Sequence, residues 1–134
     1  MRKYLVSLTG ALLLVGLGAF AFVFASRVSA ANETLTGKLV DLACYSLNKE
    51  ETGNVHRGGA LICAQACARE GFAVGLLTSS GKVYQVGGGL AADLNAKLVP
   101  HMSHTVTIAG DVNEKSGMGG MAMITATELK MVSQ

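Results

Sequence analysis

Hydrophobic positions divide the chain into one unbroken apolar block followed by short alternating runs. The block extends from Tyr4 to Ala25, 22 residues without a charge, behind Arg2 and Lys3. Further on, TLTGKLVDLAC sets Leu35, Gly37, Leu39 and Asp41 on one face and Val40 and Leu42 on the other. That alternation predicts a first strand, with a glycine that permits a bend. The polar run YSLNKEETGNVHRGG predicts a loop. ALICAQACAREG is Ala-rich, lacks proline and ends in Arg69-Glu70-Gly71, so it predicts a helix stopped at Gly71. In FAVGLLTSSGKVYQVGGG two apolar runs flank Ser79-Ser80-Gly81-Lys82, a hairpin pattern. LAADLNAKLVPH predicts a second short helix ended by Pro100. Thr105, Thr107 and Ala109 then alternate with Val106 and Ile108, a turn is predicted at 114–120, and Met121 to Val132 returns as the last strand.

The predicted order is strand, helix-bearing insert, two strands, helix, two strands. Five strands with a helix between the third and fourth is the connectivity of an OB-fold barrel. The expected fold class is therefore all-β with short helices, an OB-fold-like barrel behind the N-terminal hydrophobic segment. An open α+β sheet with both helices on one face is the alternative.

Composition and charge divide the chain at the same place. Arg2 and Lys3, the apolar block and the small residues of Val28-Ser29-Ala30 have the layout of a secretory signal. The block is also long enough to span a bilayer, so residues 1–30 are read as a signal peptide or a single membrane anchor. Either reading puts residues 31–134 outside the cytoplasm as one exported domain, periplasmic or on the outer face of the membrane. That domain has eight Lys/Arg against nine Asp/Glu, a net charge of −1. The basic balance of the whole chain belongs to the leader, and the domain lacks the clustered cations of a nucleic-acid binder. With no Trp and 17 Gly in the chain, its core is modest, and a staple would help it.

The candidate chemistry lies in CYSLNKEETGNVHRGGALICAQAC. It contains all 3 cysteines of the chain, Cys44, Cys63 and Cys67, together with His56. Cys63 and Cys67 stand four apart on the predicted helix and share a face. Their Cβ atoms would lie about 5–6 Å apart, beyond the roughly 3.5–4.5 Å that a disulfide needs. A metal with bonds of about 2.3 Å to sulfur suits that spacing better. The expected ligands are Cys44, His56, Cys63 and Cys67, holding zinc or copper. The rival is a disulfide from Cys44 to one helix cysteine, with a thiol left over. Asp41 is read either as a group that orients a ligand histidine or as a polar strand end. Met118, Met121 and Met123, with His101 and His104 of HMSH, are possible additional soft ligands, and core packing or a polar turn also explains them. The Gly run at 87–89 lacks the Lys-Ser/Thr of a phosphate loop, and G-x-S-x-G is absent.

The run DLACY, a histidine some way on, CAQAC and GFAVGLLTSSGKVY resembles a group of small exported bacterial proteins with an OB-like β pattern, over about residues 34–132. The resemblance implies fold and export, and implies no activity. The expected function is that of an exported, non-enzymatic metal-binding protein. The alternative is an accessory subunit of a membrane protein complex, tethered through residues 4–25, with a disulfide-stapled domain. A thiol-redox enzyme would need an accessible thiol of low pKa.

Overall fold

A computed structural model describes residues 31–50, 52 and 60–134. The segment 1–30, predicted as signal or anchor, and His56 lie outside the described residues. Among the described residues no helix is long and apolar enough to cross a membrane.

The strands are β1 (Ala31–Asp41), β2 (Val74–Thr78), β3 (Val83–Gly87), β4 (Thr105–Asn113) and β5 (Met123–Ser133). They form one sheet in the order β1-β2-β3-β5-β4. The sheet closes on itself because β1 pairs with two strands. Gly37 to Asp41 run antiparallel to β2, and Ala31 to Lys38 run antiparallel to β4. Gly37 takes part in both pairings, opposite Thr78 and Val106. A Cβ at that position would drive into the carbonyl of Leu77, so the strand needs glycine where it passes from one partner to the other. β3 and β5 run parallel, which places the connection and β4 between them in sequence.

Alternation builds the core as expected. Val106 and Ile108 of β4, Leu39 of β1, Leu76 of β2 and Ile124 of β5 are fully buried in the barrel. Each such side chain contributes roughly 1.5–3 kcal/mol on leaving water. Val40, the neighbour of Leu39, points the other way and joins Leu42 and Tyr45 in a second, smaller cluster.

Two helices matter for the site. α1 (Leu42–Leu47) follows β1 without a gap, and α2 (Ala60–Arg69) precedes β2. α2 rests on the barrel through Ala64 and Ala68, both buried in the main core. It ends as Gly71 predicted. Gly71 has φ +85°, its N–H donates to Ala68 O (3.0 Å), and Phe72 N–H donates to Cys67 O (3.1 Å). That pair of bonds is the Schellman stop, and the left-handed residue it needs is cheap only as glycine.

Three expectations are corrected. The first strand ends at Asp41, so Cys44 and Tyr45 are helical rather than at a strand end or in a loop. The second helix is broken into short turns at Gly88–Leu90, Ala92–Asn95 and Val99–His101. Asp93, Leu94 and Asn95 take left-handed φ of 52°, 55° and 58°, which no right-handed helix accommodates. The last strand begins at Met123, because Met121 lies beyond the turn Met118–Gly120 and packs on the smaller cluster.

Candidate metal centre

Asp41 sets the first part of the site. It is the last residue of β1 and the N-cap of α1. Its backbone is extended (φ −74°, ψ 122°), and Oδ1 accepts the N–H of Cys44 at 2.8 Å. This satisfies one of the free N–H groups of the first turn. The start of α1 is also tied to the chain before β2, since Leu42 N–H donates to Ala73 O at 3.0 Å. Burial of Leu42 and Tyr45 fixes the helix rotation, and Cys44 is left half-buried beside α2.

α2 supplies the second part. Burial of Ala64 and Ala68 turns one face of this helix to the barrel. Cys63 and Cys67, each one residue earlier, share the adjacent face and are half-buried. The Sγ atoms of Cys44, Cys63 and Cys67 all lie within 4.8 Å of one another. All three are free thiols. In a tetrahedral site with metal–sulfur bonds of about 2.3 Å, sulfurs stand just under about 4 Å apart. The three sulfurs need to close only slightly to reach that geometry.

Burial pushes the Cys44 thiol up to about 12, and the neighbouring Asp41 carboxylate and the other two cysteines push in the same direction. Cys67 is also raised, first by burial and then by the charge of Asp41 and by Cys63. These thiols therefore keep their protons at neutral pH unless a cation replaces them.

Asp41 itself is only 3% exposed, and its Oδ2 is buried with no hydrogen-bond partner among the described residues. The sequence showed the aspartate three residues before Cys44 and on the strand face of Leu39, which the barrel buries, but carried no sign that one of its oxygens would stay without a hydrogen bond.

The other candidate ligands sit in a groove beside α1, against Gly87, and in the turn before β4. Met121 and Met118, the latter exposed, line an open groove of about 650 Å³ with Leu42, Phe72 and Gln85. The Met118 N–H donates to Gln85 Oε1 at 2.7 Å. Met123 packs its thioether against Gly87. HMSH is held to β1 through its backbone, with Ser103 N–H donating to Leu39 O (2.9 Å) and His104 O accepting Leu39 N–H (3.1 Å). His101 and His104 are half-buried, each with a buried Nδ1 that has no partner among the described residues. Neither histidine belongs to the group of close donors that the cysteines form.

Comparisons of the chain with protein-family models, with curated proteins and with solved structures gave no match.

Proposed function

We propose that this chain is an exported, non-enzymatic metal-binding protein with an OB-fold-like barrel. The single observation that carries the reading is the convergence of three thiols, from two helices, to within 4.8 Å of one another. Three neighbouring free thiols outside the cytoplasm would oxidise unless a metal held them. Cys44, Cys63 and Cys67 supply three soft donors of the kind that zinc and copper(I) take. The fourth donor is drawn from His56, as the spacing suggests, or from Asp41. The closed strand order, with parallel β3 and β5 and the helical connection between β3 and β4, supports the OB-like reading of the barrel. The N-terminal layout of charge, apolar block and small residues supports export. The raised thiol pKa of Cys44 weighs against a nucleophilic or redox-active cysteine, which needs the thiolate.

The test is metal content by mass spectrometry together with a thiol count after denaturation, on the full chain purified without chelator. The expected result is about one metal per chain with all three thiols reactive, and loss of the metal in each of Cys44→Ser, Cys63→Ser and Cys67→Ser. A chain without metal and with a single reactive thiol would replace this reading with a disulfide-stapled domain.

A further inference from the structure

We infer that Asp41 is the fourth protein ligand of this site, making it a Cys₃Asp centre for a divalent cation of the zinc class. The inference rests on the metal-binding reading above and adds the identity of the closing donor.

Asp41 has an unusual combination of features. It is almost fully buried, one carboxylate oxygen is occupied by the cap of α1, and the other has no partner among the described residues. The Cys44 thiol meets the carboxylate only as a weak donor; a buried carboxylate oxygen without a stronger partner is costly, and such groups in proteins are paired or bind cations. Capping alone does not account for it, because an asparagine or a serine would cap α1 equally well without a buried charge. The carboxylate is also held beside Cys44, since its Oδ1 accepts that residue's N–H at 2.8 Å. Its oxygens stand outside the set of mutually close donors formed by the three cysteines. Ligation therefore requires the side chain to turn Oδ2 toward the sulfurs while Oδ1 keeps the cap. A carboxylate can do both at once, because its two oxygens accept independently.

The donor set also selects the metal. Three thiolates alone suit zinc and copper(I) alike. A carboxylate oxygen is an accepted zinc ligand at about 2.0–2.2 Å and a poor partner for a soft monovalent ion. Four anionic donors also gain more from a divalent than from a monovalent charge.

The experiment is X-ray absorption spectroscopy on the full chain loaded with Zn²⁺. It is paired with chelator-competition affinities for wild type, Asp41→Asn and His56→Ala. Asparagine keeps the cap on the Cys44 N–H, so Asp41→Asn removes the carboxylate without removing the start of α1. The expected spectrum has three sulfurs and one oxygen, without the outer-shell scattering of an imidazole. Asp41→Asn is expected to weaken zinc binding by more than the roughly 10–100-fold that loss of an orienting group costs, and His56→Ala to leave it nearly unchanged. Imidazole scattering in the wild type, or unchanged zinc affinity in Asp41→Asn, would overturn the assignment and leave the three-cysteine site standing. Failure of the wild type to bind zinc, with its three thiols intact, would instead remove the metal-binding reading itself.

Discussion

At the residue scale the site is governed by where its protons sit. The Cys44 thiol is raised to about 12 and Cys67 is raised as well, in both cases first by burial. Without metal, Cys44 is protonated in both the folded and the unfolded chain below its ordinary value near 9, so it adds no pH dependence there. Between about 9 and about 12 the unfolded chain gives up this proton and the folded chain keeps it. The unfolded state then binds fewer protons, so stability falls as pH rises through that window. Metal reverses the ownership of the same protons, because a ligating sulfur must be a thiolate. Zinc uptake at pH 7 is therefore expected to release at least roughly two protons per metal, one each from Cys44 and Cys67. Titration calorimetry in two buffers of different ionisation enthalpy measures this number. A value near zero would mean that the thiols do not ligate.

At the scale of the elements, the question is what holds α2 in place. Asn95 is the main polar tie. It is 4% exposed, and its Nδ2 donates to Ala68 O at 2.8 Å and to Phe72 O at 3.0 Å, on either side of the Gly71 stop. It does so from a left-handed backbone (φ 58°), a conformation asparagine tolerates better than most residues. Asn95→Ala is expected to destabilise the fold by about 1–3 kcal/mol in urea unfolding, through the bonds lost at Phe72 O and at Ala68 O, which keeps the Gly71 N–H, and through a strained φ. Asn95→Gly relieves the backbone alone and should recover only part of the loss; full recovery would show that the hydrogen bonds contribute nothing. The helix predicted over this stretch is replaced by a left-handed run at Asp93, Leu94 and Asn95. Leu90, Leu94 and Leu98 have helical spacing, but Leu94 is 62% exposed while Leu90 and Leu98 are buried, so the period was coincidental. α2 was legible because its alanines, its glycine stop and its lack of proline all agree. α1 was hidden because six residues are too few for a period and continue a run of strand formers. The one available signal was Asp41 ahead of an apolar run, a cap residue in the right place. For the site, the Cys63–Cys67 pair followed from helix geometry and the face of Asp41 from its alternation with Leu39, whereas the unpaired Oδ2 depends on packing that no local pattern encodes.

At the scale of the whole molecule, metal would act as a fastener between unequal parts. The barrel is closed by continuous pairing and filled by fully buried Leu39, Leu76, Val106, Ile108 and Ile124. α2 touches that core through alanines, which bury little area, and α1 belongs to the smaller cluster with Val40. A metal joining Cys44 to Cys63 and Cys67 would close the chain between the helices and fix both against the barrel, the kind of constraint that gains from loop length. At a free metal concentration of about 100 times Kd, the bound state gains about 2.7 kcal/mol over the metal-free one. That gain need not be shared evenly, because local opening requires only the weakest unit to detach. Chelation is thus expected to speed amide hydrogen exchange in α2, at Ala64 to Arg69, with Val106, Ile108 and Ile124 protected as before. Equal acceleration in barrel and helix would mean that metal stabilises only the global fold, and the fastener view would be abandoned. Unchanged exchange throughout would mean that the cysteines hold nothing. The selective outcome would instead show a barrel that stands by itself and carries its chemistry on two helices pinned by the ion they bind.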